Sequence, residues 1–254
     1  MNNLQLEQLL NQTLSPQLVK DYCPNGLQVE GKPEVSVIIT GVTASQALID
    51  VAIAKKADAI LVHHGYFWKG EPESLRGMKG SRIRSLIKND INLYAYHLPL
   101  DIHPELGNNA QLASLLGIKT LGGLEGHPQS VVMHGEFESA LTGSELVSRI
   151  TSVLDRVPLH IPPESPLSDK KIKTIGWCTG GGQGYLELAA NYGLDAFISG
   201  EISERTTYVA RELGIHYFAA GHHATERYGV KALGEWLSQH HDLKVEFIDI
   251  DNPV

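Results

Sequence analysis

His63 and His64 stand side by side before Gly65, and His222 and His223 stand side by side at the head of a run that continues Ala224-Thr225-Glu226. Imidazoles and carboxylates gathered without cysteine are a donor set for zinc, iron, manganese or nickel. His222 and Glu226 are four residues apart, so a helix starting here places both on one face, where they can serve one ion. Adjacent residues of a regular strand point to opposite faces. His63 and His64 can therefore share a pocket only at a strand end or turn, or by holding different ions. In His97-Leu98-Pro99-Leu100-Asp101, Pro99 argues against an ordinary helix, and an extended chain would hold His97 and Asp101 about 13 Å apart at ~3.3 Å per residue. Either the chain bends or one of the two ligates; the turn-rich stretch after Asp101 favours Asp101.

A closed zinc site takes about four ligands and a catalytic one about three plus water. His63, His64, Asp101, His222 and Glu226 exceed that number, and suit two ions roughly 3.5 to 4 Å apart with a bridging carboxylate or water. Any one of these histidines alone is more often a satisfied core or turn residue. Two pairs, each at a strand end of a repeated unit, with Glu226 at helical spacing, favour a two-metal centre.

Other residues carry weaker signals. Glu201, in Ser199-Gly200-Glu201, stands in the second half where His64 stands in the first, and reads either as a base or outer partner of the centre or as a surface cap. The glycine-rich stretch 179–184 lies between an expected strand and helix, where backbone N–H groups can hold an anion or simply close a tight turn. Its spacing matches neither a P-loop nor a dinucleotide fingerprint. Lys69, Arg76 and Arg227 read as phosphate contacts or solvated charges, and Tyr66 and Trp68 as a ring-stacking wall or as packing. His127, His134, His160 and His216 have no partner spacing, and His240-His241 reads as a solvated helix end.

The elements that must position these residues form a repeat. Residues 35–41 and 59–62 are short apolar runs around a helical pattern at 44–56, and the sequence at 172–178, 184–192 and 195–198 follows the same plan. An offset of 137 pairs Asp58-Ala59 with Asp195-Ala196, Ala52 with Ala189 and Gly41 with Cys178. Each half continues to a third strand, 91–96 before His97 and 215–220 before His222, and then to a helical stretch. The expectation is an α/β fold of duplicated three-layer units with mostly parallel sheets and a dinuclear metal site between the halves, functional groups gathering at strand ends. The halves are placed, with soft boundaries, at 1–125 and 171–254, with 126–170, rich in Gly and Pro, as a connecting segment, or else the two form one intertwined unit.

Composition narrows the partners. Of 254 residues 42% are hydrophobic and 20% charged, which fits a folded core, and 21 Lys+Arg against 29 Asp+Glu give a net charge of -8 that disfavours nucleic acid. Cys23 and Cys178 are too few for a disulfide framework and are expected reduced. Residues 1–10 read as a polar helix start without a leader's basic and apolar regions, and no apolar run approaches a membrane span, so a cytoplasmic location is expected.

Four motifs, Cys23-Pro24-Asn25-Gly26-Leu27-Gln28-Val29-Glu30-Gly31, Val62-His63-His64-Gly65, Tyr96-His97-Leu98-Pro99-Leu100-Asp101 and Gly221-His222-His223-Ala224-Thr225-Glu226, together resemble the GTP cyclohydrolase 1 type 2 homologue family, also called NIF-three-like, in its short bacterial form. The resemblance spans almost the whole chain in order. It implies metal ligation by His63, His64, Asp101, His222 and Glu226, with His97 as a further neighbour. It also implies a duplicated α/β fold and a ring-shaped homohexamer whose metal sites face an internal cavity. The activity it points to is metal-dependent hydrolysis of a nucleotide or related purine compound, including opening of the guanine ring of GTP, with Glu226 or Asp101 positioning the two ions and Glu201 or a histidine moving protons. The alternative is a non-enzymatic assembly that stores, delivers or senses metal.

Overall fold

The computed structural model describes residues 1–164 and 166–254; Ser165, inside the stretch expected as a connector, lies outside the described residues. In chain order the elements are α1 (Asn3–Leu14), β1 (Gly26–Val29), β2 (Val37–Thr43), α2 (Gln46–Ala54), β3 (Ala59–His64), α3 (Gly77–Lys88), β4 (Asn92–Ala95) and α4 (Leu98–Ile102). There follow α5 (Asn108–Leu116), β5 (Ile118–Gly123), β6 (Met133–Leu141), α6 (Gly143–Leu154), β7 (Leu159–Ile161), β8 (Ile172–Cys178), α7 (Leu186–Asn191), β9 (Ala196–Ser199), α8 (Glu204–Glu212), β10 (His216–Ala219), α9 (His222–His240) and β11 (Lys244–Phe247). They divide into two compact units, Met1–Gly107 with Gly229–Asp251, and Asn108–Tyr228 with Asn252–Val254.

The first unit is built on one sheet in the order β1-β4-β3-β2-β11, parallel except for β1 at its edge. Alternation along the strands decides what each face buries. Ile38, Ala59, Leu61 and Tyr94 pack with Leu6, Leu10 and Leu14 of α1 and with Val230, Leu233 and Leu237 of α9. Ile39, Ile60, Val62 and Leu93 pack with Leu48, Ile49 and Ala52 of α2 and with Ile83 and Leu86 of α3. Both faces are covered, which is why these strands read as unbroken apolar runs. The result is three layers with the sheet in the middle.

The second unit repeats this plan and extends it. Its sheet order is β5-β6-β8-β9-β10-β7, so the four-strand order β1-β4-β3-β2 recurs as β7-β10-β9-β8. The register recurs as well: Ile38 faces Ala59 across β2 and β3, and Ile175 faces Ala196 across β8 and β9. Ile175, Trp177 and Ile198 pack with Leu112 and Leu116 of α5 and with Leu146 and Ile150 of α6. Phe197 and Tyr217 face the other way, with Leu186 and Ala189 of α7 and Ala210 of α8.

Two expectations are corrected here. The second sheet is mixed, because only β8, β9 and β10 run parallel while β5, β6 and β7 pair antiparallel. The strands responsible come largely from the segment expected as a connector, whose 126–170 carries β6, α6 and β7. Gly122 and Gly123 end β5, where the pairing slips between Thr120 and Gly122; glycine inside a strand marks a bulge as readily as a turn. The second half also does not hold its own C-terminal stretch: α9 opens in the second unit, and its later turns and β11 belong to the first.

The repeated Asp58 and Asp195 explain why the duplication is visible in sequence. Asp58 Oδ2 accepts from the N–H groups of Ser36 (2.7 Å) and Val37 (2.8 Å), and its carboxylate pairs with Lys32. Asp195 Oδ2 accepts from Lys173 (3.0 Å) and Thr174 (2.9 Å), the same positions shifted by 137, and pairs with Lys170. Each carboxylate ties the loop before one strand to the start of its neighbour. Burial opposes the charge on Asp58, but Lys32 and the two backbone donors hold its carboxyl below the usual range. Its stabilisation is therefore present above the unfolded value near 3.9 and is lost as pH falls through the lower folded value. Asp58→Ala is expected to cost about 2 to 3 kcal/mol at neutral pH, the scale of a charged hydrogen-bond acceptor, read as a lower denaturant midpoint at unchanged slope.

Candidate metal centre

In the first unit the centre is assembled by the end of β3 and the start of α4. His63 is fully buried, and its Nδ1 lies 3.0 Å from the backbone oxygen of Tyr96. A carbonyl only accepts, so Nδ1 carries a proton, which in the neutral ring leaves the lone pair on Nε2. That Nε2 is 3.5 Å from Asp101 Oδ1. His64 Nδ1 is 3.2 Å from Thr43 Oγ1, and the two adjacent rings are 4.5 Å apart at their centroids. The strand ends at His64, which resolves how neighbouring residues share a pocket. Gly65 follows because a Cβ there would lie 2.2 Å from Gln28 Oε1 and 2.6 Å from Ala95 Cβ.

Asp101 is buried on α4. The helix corrects the reading of the Pro99 segment: proline sits in the first turn, where its missing N–H has no intrahelical partner to lose and its fixed φ suits the helix. His97 caps that turn and joins the cluster, since ligand atoms of His63, His64 and His97 lie within 4.8 Å of one another. Trp68 stands edge-on to His97 with centroids 4.9 Å apart, and its Nε1 donates to Gly65 O. Tyr66 packs instead: it is buried and its hydroxyl donates to Ala44 O. Lys69 and Arg76 are exposed.

In the second unit a separate candidate cluster lies at the first turn of α9 and the loop after β8. Helical spacing brings His222 Nε2 to 3.2 Å from Glu226 Oε2, and Glu226 is 3% exposed. Glu201 Oε1 is 2.7 Å from His222 Nδ1, so Glu201 orients the ring from outside the pair. Burial pushes the His222 imidazole down, but its bond to Glu226 and the charges of Glu226 and Glu201 outweigh this and raise it to about 9. The site is acidic, matched to a cation.

The glycine-rich stretch 179–184 lies against this pair. Gly180 has φ +61°, its N–H donates to Thr225 Oγ1, and its oxygen accepts from Ser199 Oγ and Gly200 N. A Cβ at Gly180 would fall 2.0 Å from Glu226 Oε1 and 3.0 Å from His222 Nε2. The loop is thus a tight turn closed over carboxylates, surroundings that repel an anion. Arg227 turns elsewhere, donating to Leu154 O and stacking over Tyr228.

The structure accordingly brings His63, His64 and Asp101 together in the first unit, and Glu201, His222 and Glu226 in the second. Sequence reading missed the groups that aim these side chains, namely Asp21, Thr43 and the Tyr96 carbonyl. A backbone carbonyl leaves no trace in residue type, and Asp21 lies outside any histidine spacing.

His160 and His216, which carry no spacing signal, pair on β7 and β10 with His160 Nε2 3.0 Å from His216 Nδ1, and His216 Nε2 is 2.9 Å from Lys170 O. Burial and then His216 push the His160 imidazole from the usual 6.5 down to about 4. Burial also lowers His216, opposed by its hydrogen bond to the Lys170 carbonyl and by Asp195, while the Lys170 charge adds to the fall. A folded value below the unfolded one means that the unfolded chain binds the proton first. The stabilisation is complete above pH 6.5 and is lost as pH falls toward 4. The unfolding midpoint of His160→Gln is expected to fall less steeply than that of the wild type between pH 7 and pH 5; equal slopes would remove this pair from the acid response.

Residues 1–253 match the family described as Duf34/NIF3 (NGG1p interacting factor 3). A Vibrio cholerae protein named GTP cyclohydrolase 1 type 2 homolog is 75% identical over 254 residues, covering 100% of both chains. The Escherichia coli K12 protein of the same name is 55% identical over 253 residues, again covering 100% of each. Among solved structures, the protein ybgI, described as of unknown function, superposes with a TM-score of 0.95 at 55% identity and 100% coverage of both chains. A crystal structure from Thermus thermophilus gives 0.88 at 31% identity, also over 100% of both chains.

Proposed function

Starting from a chain that belongs to the Duf34/NIF3 family, we propose a hydrolase that works with two divalent metal ions held by His63, His64 and Asp101 of the first unit and by His222 and Glu226 of the second. One observation carries the reading. In both units a buried or half-buried histidine has its Nδ1 held by an outer oxygen, Tyr96 O for His63 and Glu201 Oε1 for His222, while its Nε2 faces a buried carboxylate. This is the arrangement of ligating histidines, whose second nitrogen is fixed by an oxygen outside the coordination sphere. The donors fit zinc, iron, manganese or nickel, all nitrogen and oxygen.

Bound ions of this kind supply Lewis acidity and water activation near neutral pH. The chain's own residues do the rest. Asp101 and Glu226, both buried, fix donor positions and balance charge. Glu201 holds the His222 ring and, with its side chain 41% exposed, is the carboxylate placed to take and return a proton. The names of the 75% and 55% identical relatives support a purine nucleotide, GTP first, as the substrate class.

The test is release of formate and a ring-opened nucleotide from GTP by tag-free protein loaded in turn with zinc, iron, manganese and nickel. Turnover that disappears in Glu201→Gln while metal content stays supports the reading. Full metal content without turnover on GTP or any other purine nucleotide contradicts it and favours metal storage or delivery. The family resemblance also makes a hexameric ring the assembly to expect, read as mass in solution. Among the described residues no helix is long and apolar enough to cross a membrane.

A further inference from the structure

Asp21 lies on the loop before β1, and its side chain is 3% exposed. Oδ1 accepts from His97 Nδ1 (2.7 Å) and from the N–H of Tyr22 (2.6 Å), and Oδ2 accepts from Asn25 Nδ2 (2.9 Å) and the N–H of Leu98 (2.9 Å). A carboxylate offers about four lone-pair directions, and these donors use them. Asp21, Cys23 and His97 have ligand atoms within 4.8 Å of one another, which at first suggests a metal site of their own. The geometry is against it: both Asp21 oxygens are already saturated by the four donors.

What remains is a carboxylate gripping an imidazole. We propose that Asp21 is a positioning residue that holds His97 as its Nδ1–H tautomer and turns Nε2 toward His63 and His64, making His97 a third nitrogen donor of the first-unit cluster. The inference rests on the metal-binding reading above and adds two residues to it. The grip is on the backbone as well as the ring, since Asn25 Oδ1 accepts from the His97 N–H at 2.7 Å. The His97 ring is bracketed by His63 at 5.0 Å, His64 at 5.7 Å and the edge-on Trp68, centroid to centroid. A carboxylate held against Nδ1 strengthens Nε2 as a donor and removes the rotational freedom that ligation would otherwise have to freeze.

The experiment has two arms. Long-range proton–nitrogen NMR of the metal-free wild type at pH 8 reads the His97 tautomer, and zinc titration then reads which ring nitrogens move. Zinc affinity is measured in parallel on wild type, Asp21→Ala and His97→Ala. The expected results are Nδ1–H in the metal-free protein, a zinc-dependent shift at His97 Nε2, and a loss of about 10- to 100-fold in the affinity of one ion in Asp21→Ala. His97→Ala should weaken the same ion. An Nε2–H tautomer, a His97 ring unmoved by zinc, or equal affinity in folded Asp21→Ala would each overturn the proposal. If Asp21→Ala does not fold, the wild-type spectra decide alone. Zinc that fails to bind wild type at all would sink the functional reading and the donor role together, while the metal-free tautomer still judges the grip of Asp21 on its own.

Discussion

Gly180→Ala is expected to disable the second-unit cluster although it removes no donor atom. The added methyl would lie 2.0 Å from Glu226 Oε1, and the backbone cannot yield, because the Gly180 N–H is bonded to Thr225 Oγ1 and its oxygen to Ser199 and Gly200. The left-handed φ of +61° adds about 1 to 2 kcal/mol for any residue with a Cβ. Either Glu226 swings away and its contact with His222 breaks, or the loop detaches from α9. The predicted outcome is a fall in stability of about 3 kcal/mol, in the range of strained and overpacked substitutions, and loss of roughly one metal ion per chain. Gly184→Ala is the matched control, since a Cβ there meets nothing within 4 Å.

Glu226→Ala removes the donor itself. The carboxylate is 3% exposed and faces the imidazole four residues earlier, so alanine leaves His222 with Glu201 as its acidic partner. Breaking such a pair from one side is costly because the remaining group has been desolvated for a partner it no longer has. Metal content is expected to drop by about one ion per chain, with a fall of about 2 kcal/mol in the stability of the metal-free protein. His134→Ala serves as comparison: its ring packs on Tyr192 at 4.9 Å, and it should leave metal content unchanged.

The two predictions differ in how far sequence could have led to them. The spacing of His222 and Glu226 on one helical face was legible, because helix geometry alone fixes which residues four apart must meet. The place of Gly180 was not, since a glycine-rich stretch looks the same whether it cradles an anion or closes over a carboxylate. The duplication was legible through Asp58 and Asp195, whose carboxylates do the same work on backbone donors 137 residues apart. The mixed second sheet was not legible, because all three added strands are partly exposed, β5 and β6 carry glycines, and β7 is three residues long between Pro158 and Pro162, signals that turns and edge strands share. Pro99 misled for a related reason: its rule depends on position within a helix, and only the structure shows that the helix begins at Leu98. Asp21 was invisible because its importance comes from what donates to it across 76 residues of chain.

The most direct test of the central claim is the metal content of protein purified without an affinity tag, by elemental analysis before and after dialysis against zinc, iron, manganese and nickel in turn. Five donors from two units, among them the pairs His63–Asp101 and His222–Glu226, predict close to two ions per chain. A chain that carries no metal and takes up none from any of the four would contradict the account.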